Sequence, residues 1–338
     1  CRCRASGRRT SWCGPRQVAV RRPPRTKAAV ALASLVAGGL LTVGCATDPV
    51  TAPAPTAPAE SLSPSPTRSA TPSPSATTHR ATPAAGPSTA PALTVTSVRN
   101  FRDVAGSGLA LPDGGHMATG VVYRSAQLAT ATPADVARLG RSGIGLVIDL
   151  RTDTVSAHTP DPVIRGATHK LVNLYAVAAT PSVHLRSVAA AEAYMRAMNV
   201  HFVSVSAQRA KVGEALTLIA LAKSPVLVHC TAGKDRTGWI SALLQMVAGA
   251  DRNQVMAEYL KSNTYNADVI KSSYQSTLAS SGLTAARIKR ATVEVKASYL
   301  NAGLSEMDRR YGGLDGYLTK GLGLSEATVT TLRDRLTA

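Results

Sequence analysis

Ten residues, His229-Cys230-Thr231-Ala232-Gly233-Lys234-Asp235-Arg236-Thr237-Gly238, constrain this chain more than any others because of what flanks them. Ahead runs Pro225-Val226-Leu227-Val228, a short β-branched apolar run with a proline at its entry, which reads as a core strand. Behind runs Trp239-Ile240-Ser241-Ala242-Leu243-Leu244-Gln245-Met246-Val247, apolar on all sides and long enough for a buried helix. A loop between such elements gathers its backbone N–H groups into one concavity, at the positive end of the next helix dipole. That cradle suits a tetrahedral dianion, onto which Arg236 can fork two hydrogen bonds. The same field favours the thiolate of Cys230, making it a nucleophile near neutral pH. Cleavage of a phosphate ester is the chemistry expected.

Rival readings of the stretch are weaker. A lone cysteine is most often a small buried hydrophobe, but here the Cys-x5-Arg-Thr spacing, Gly233 and the strand–loop–helix setting coincide. A nucleotide-binding Gly-x4-Gly-Lys-Ser/Thr loop would need glycine at Val228 and a hydroxyl at Asp235. A sulfurtransferase loop would be one residue shorter between Cys and Arg. With these residues in view, the motif resembles the signature of the cysteine-dependent protein tyrosine and dual-specificity phosphatases. Cys-x-x-Gly-Lys-Asp-Arg-Thr-Gly is similar to the bacterial branch that includes the secreted mycobacterial enzyme. Asn100-Phe101-Arg102-Asp103-Val104-Ala105-Gly106, Tyr123-Arg124-Ser125-Ala126-Gln127-Leu128, Asp149-Leu150-Arg151-Thr152-Asp153 and Tyr311-Gly312-Gly313-Leu314-Asp315-Gly316-Tyr317-Leu318 agree with it in order.

That resemblance implies in-line attack by Cys230 and a phosphocysteine intermediate. Arg236 and the amides of Thr231, Ala232, Gly233, Lys234 and Asp235 would hold the phosphoryl oxygens, with no metal and no cofactor required. Thr237 can donate to the sulfur, or cap local backbone instead. His229 is expected beside the thiolate, orienting the loop. The general acid stays open. Asp235 lies in the loop, in a position similar to that of the myotubularin lipid phosphatases, while Asp153 and Asp149 lie just past another strand. Asp235 is favoured, Asp153 comes second, and Asp149 reads as structural. Lys234 adds a cation where a multiply phosphorylated headgroup can bind, so the partners expected are phosphorylated proteins or phosphoinositides. Arg102, Asp103, Arg124 and Arg151 are expected to line or brace the pocket. The competing class is a phosphate-binding module of weak catalysis, or a host-signalling surface protein using the same loop.

The formal charge of +18 exaggerates the basicity of this region: nine Lys or Arg lie in residues 1–27, and residues 94–338 carry 27 against 18 Asp or Glu. The surplus favours anionic partners. Nucleic acid is not expected, since only 4% of residues are aromatic and no recognition motif is present. Ala28 to Leu41 is an apolar run of fourteen residues behind Arg21, Arg22, Arg25 and Lys27, the pattern of an export signal. Gly44-Cys45 closes it as in a bacterial lipoprotein, so Cys45 is the expected lipidation site and membrane anchor, or else the protein is simply secreted. Residues 1–17 read as lying upstream of the true start. From residue 46 to 93 the chain is nearly all Thr, Pro, Ala and Ser, an extended linker that cannot bury a core.

Residues 94–338 then form the expected phosphatase domain: α/β, with a central, mostly parallel sheet flanked by helices. Strands are predicted at 117–123, 144–150 and 225–229. Helices are predicted from Thr132-Pro133 to Gly143, over 208–222, from Asp251-Gln254, and over 284–299, 302–311 and 325–336. Val188 to Met198 is predicted helical within a long insertion, which in the resembling branch forms a mobile lid.

Overall fold

The computed structural model describes residues 93–179 and 183–337, on which everything below rests. The expected export signal, Cys45 and the linker lie outside these residues. Five strands, β1 (Arg102–Asp103), β2 (Val122–Ser125), β3 (Leu146–Asp149), β4 (Thr168–Leu171) and β5 (Val226–His229), form one sheet in the order β1-β2-β5-β3-β4. Only β1 runs antiparallel to its neighbour. The central strand β5 is buried on both faces along its whole length, which is why its residues read as a continuous apolar run. The sheet edge β4 is exposed throughout. The strand expected at 117–123 is displaced: pairing with β5 begins only at Val122, because Gly120 turns the chain with positive φ just before it.

Helices α1 (Pro133–Arg141), α2 (Asp153–His158), α3 (Val188–Ser204), α4 (Ser206–Leu221), α5 (Arg236–Ala248), α6 (Arg252–Tyr265), α7 (Ala267–Val293), α8 (Ala297–Tyr311), the single turn α9 (Leu314–Gly316) and α10 (Glu326–Thr337) surround the sheet. The caps are as the sequence predicts. The Thr132 hydroxyl accepts from the Asp135 amide with Pro133 at the first helical position, and Asp251 with Gln254 makes a reciprocal capping box. The expected helix over 302–311 lies within α8, which starts five residues earlier. The one expected over 284–299 instead spans the break at Glu294–Lys296 between α8 and α7, the latter bent at Gly282 (φ 80°). Polar, mostly exposed residues in the first part of α7 carry little apolar periodicity, so its start is invisible to that signal.

Helix α5 is buried along nearly its whole length, with Trp239 fully covered in its first turn. Truncating such an indole costs about 3–5 kcal/mol. Trp239 links the core to the insertion, since its ring packs 5.9 Å from Phe202 of α3 and 6.0 Å from Tyr317. Helix α3 extends past the predicted Met198 to Ser204, burying Ala191, Met195, Asn199, Phe202 and Val203 along one face. It packs on α8, where Gly303 lets the backbones approach: a Cβ there would lie 3.0 Å from the Asn199 carbonyl and 2.7 Å from the Trp239 ring. The rigid strand–helix pair β5–α5 thereby fixes both ends of the loop that carries Cys230.

Candidate active site

The loop leaves β5 at Cys230 and enters α5 at Arg236, and its shape is set from behind. The Ala232 carbonyl accepts from Asn100 Nδ2 (3.2 Å) and Asn266 Nδ2 (3.3 Å). The Gly233 carbonyl accepts from Asn100 Nδ2 (2.7 Å) and Arg124 Nη2 (2.8 Å), and the Thr231 carbonyl from the Gln127 amide (3.4 Å). In a trans peptide the N–H points opposite to the C=O. Turning these three carbonyls outward therefore turns the amides of Ala232, Gly233 and Lys234 inward, where they donate to no acceptor among the described residues. Only glycine fits at 233. Its φ is +66°, and a Cβ would lie 2.5 Å from the carbonyl of Ser125.

The braces are themselves braced. Asn100 holds a left-handed backbone (φ 56°), a conformation asparagine tolerates. Its side-chain oxygen accepts from Arg102, whose Nε donates to Glu258 at 2.5 Å. Arg124 is fully buried; burial pushes its pKa down to about 9, with the Arg102 charge adding to the fall and Glu258 opposing it. Arg102 and Arg124 thus brace the loop from outside the cradle. Asp103, beside them, accepts from the amides of Ala105 and Gly120 and fixes the turn before β2.

Inside the cradle, Cys230 is 2% exposed. Burial raises its thiol, but the Arg236 guanidinium and hydrogen bonds from the Thr237 hydroxyl and amide bring it below the ordinary thiol value. The Thr237 hydroxyl is buried beside the sulfur and makes no fully directed hydrogen bond among the described residues. Arg236 donates to the Leu150 carbonyl and to the Thr231 hydroxyl, both at 3.2 Å, and stacks 4.4 Å over the Tyr175 ring. Its Nε is buried and has no hydrogen-bond partner among the described residues.

Lys234 is buried and grips both carboxylate oxygens of Asp235, at 2.8 and 2.9 Å, while reaching the Glu294 carbonyl at 3.4 Å. Asp153 is exposed at the start of α2 and accepts from Asn173 at 3.3 Å. Asp149 is buried, bonded by Arg151 and Ser156. Arg151 also binds Asp161 at 2.6 Å, bracing the α2–β4 connection. His229 turns its ring to this second group: Nε2 lies 3.1 Å from Asp161 and neither nitrogen bonds the loop.

Sequence reading missed several of these residues. The role of Asn100 as the main brace shows only when the fold brings it across 133 positions to Gly233. Tyr175 lies under the Arg236 guanidinium, and Tyr194 is near enough to feel the site: burial and then the Asp235 carboxylate raise its phenol. Asp161 carried one legible signal, its place between Pro160 and Pro162, which stiffens the chain around it.

Comparison with known proteins agrees with this geometry. Residues 93–338 match the model of the tyrosine phosphatase family. The chain is 31% identical over 269 residues to the triple specificity protein phosphatase PtpB of Mycobacterium tuberculosis, covering 69% of this chain and 95% of that protein. It is 30% identical over 223 residues to a tyrosine-protein phosphatase of Nostoc commune, covering 63% and 73%. The chain belongs to the tyrosine phosphatase family.

Proposed function

We propose that this protein is an exported phosphomonoesterase that cleaves phosphotyrosine, and also phosphoserine, phosphothreonine or phosphoinositide, through a phosphocysteine intermediate. One observation carries the reading: Cys230, with its thiol pKa lowered, lies at the floor of a loop whose amides and Arg236 face the same space. The phosphoryl oxygens bind the amides of residues 231–236 and the Arg236 guanidinium, which gather charge in the transition state. Sulfur attacks phosphorus in line, an S–P bond forms and the P–O bond to the leaving group breaks. Asp235 protonates the departing oxygen. Water then attacks phosphorus and gives a proton back to the Asp235 carboxylate, the S–P bond breaks, and Thr237 steadies the returning thiolate as inorganic phosphate leaves. Positive charge comes from Arg236 and the helix end, so these steps call on no metal.

The breadth of substrate rests on Lys234, a second buried cation beside the cradle, and on the triple specificity of the mycobacterial relative. Export and anchoring at Cys45 rest on the basic and apolar pattern of residues 18–45. A panel of aryl phosphate, phosphopeptides and phosphoinositide, with Cys230→Ser as blank, tests the proposal. Turnover of the first two that vanishes in Cys230→Ser supports it; turnover that survives the substitution defeats it. Asp235→Asn is expected to lower turnover most on substrates with poor leaving groups, and an unchanged rate and pH profile would remove Asp235 as the acid.

A further inference from the structure

A second cluster of reactive side chains lies behind the nucleophile, on the far side of His229. Asp161 Oδ2, His229 Nε2 and His169 Nε2 converge from the α2–β4 connection, β5 and β4 respectively. Oδ2 is 3.1 Å from the first imidazole and 3.3 Å from the second. Together with an oxygen of Asp149 these atoms all lie within 4.8 Å of one another.

His229 is the unusual member. It is fully buried, yet neither ring nitrogen makes a hydrogen bond of acceptable direction among the described residues. Its Nε2 is close enough to Asp161 to bond, but the contact is out of line with the ring N–H. A buried polar group without a directed partner is costly and calls for an explanation. Two ligand atoms that share a metal ion lie an edge of the coordination polyhedron apart, with lone pairs aimed at a common point, as His229 Nε2 and Asp161 Oδ2 do. The same Oδ2 accepts from Arg151 and pairs with His169 Nε2, so a bound ion would take the place of the His169 bond. For tetrahedral zinc with bonds of about 2.0–2.1 Å, that edge is about 3.3 Å.

Charge and access fit as well. Asp149 and Asp161 bring two negative charges and Arg151 returns one, so a single negative charge remains among the permanent charges in contact within the described residues. Asp149 is saturated by Arg151 and Ser156, which leaves three ligands, Asp161, His169 and His229. The Arg151 bond to Asp161 Oδ2 and the Leu128 amide on Oδ1 then orient the ligating carboxylate, as outer partners of metal ligands do. His169 is 41% exposed at its side chain, and it lines a surface pocket with Asp161, Ser156, Pro160, Pro162 and Val163, so an ion and a water ligand can enter from solvent.

We infer that Asp161, His169 and His229 form a binding site for one divalent transition metal ion of the zinc type, distinct from the phosphate cradle and tied to it through the peptide bond between His229 and Cys230. Such an ion would clamp β4 to β5 directly behind the nucleophile. A proton on one imidazole is the rival means of balancing the same charge.

The test uses the full chain carrying Cys230→Ser, which removes the thiolate as a competing zinc ligand. Equilibrium dialysis against zinc alone should find one ion bound, and cobalt should give the absorption of a four-coordinate site. Adding His169→Ala, a change at an exposed strand edge, should weaken binding by at least about tenfold, in line with the loss of metal-site partners. It should also abolish the rise in melting temperature that zinc gives the Cys230→Ser protein. Zinc that fails to bind, or that binds both proteins equally, overturns the inference and leaves the cluster to the proton. None of these readouts depends on phosphatase turnover.

Discussion

The inner and outer faces of the Cys230 loop are built by different rules. The inner face is contiguous in sequence: Cys230, the amides behind it, Arg236 and Thr237 lie within eight residues of one another. The outer face is assembled from afar. Asn100, Arg124, Glu258 and Asn266 reach the loop, directly or through one another, from β1, β2 and α6 and from residues beside them. The inner face supplies chemistry and the outer face supplies shape, because carbonyls drawn outward are what aim the amides inward. A nucleophilic site of this kind is therefore only as good as the hydrogen bonds on the side that the substrate never touches.

The largest predicted effect is at the hinge of the two faces. Gly233→Ala forces a Cβ into the Ser125 backbone and an unfavourable φ, so kcat/KM should fall by at least about 100-fold, with about 1–3 kcal/mol of stability lost. Steady-state kinetics and urea unfolding measure both. A purely inner-face account predicts no such loss, since Gly233 contributes no side chain to the chemistry.

Asn100→Ala comes next. It strips one donor from the Ala232 carbonyl and one from the Gly233 carbonyl without touching the cradle. The expected cost is about 1–3 kcal/mol of stability and roughly tenfold in kcat/KM, the equivalent of about 1.4 kcal/mol at the transition state. If kcat/KM is unchanged while stability falls, the outer face holds the fold but does not aim the amides, and the comparison breaks.

Thr237→Val should have the smallest effect and the most specific one. The reactive form is the thiolate, and Thr237 is one of the groups that lower the Cys230 pKa against burial. Removing its hydroxyl raises that pKa, so the acid limb of kcat/KM against pH should move to higher pH, with less than about tenfold lost at neutral pH. A limb that stays in place would show that Arg236 and the remaining amides hold the sulfur ionised unaided.

The same division explains what could be read from the chain alone. Strand β5, helix α5 and the loop between them were legible because an apolar run, a glycine and a fixed Cys–Arg spacing are local signals. Thr132-Pro133 and Asp251-Gln254 were legible for the same reason, as caps written within four residues. The start of α7 was not, since exposed serines and alanines carry no face preference. Nor were Asn100, Tyr175 or Asp161, whose roles exist only across long sequence separations: Asp161 stands alone between two prolines until β4 and β5 bring His169 and His229 to it. The Lys234–Asp235 pair was half legible. Both residues were singled out, but their grip on each other depends on how the loop turns into α5.

The central claim is that this loop holds Cys230 ionised below the ordinary thiol range of about 8.5. Absorbance of the thiolate against pH, taken as the difference between the natural chain and Cys230→Ser, measures it with no substrate present. The account predicts a titration below that value, moved upward by Thr237→Val. A Cys230 that titrates as an ordinary thiol, or above one, would contradict it.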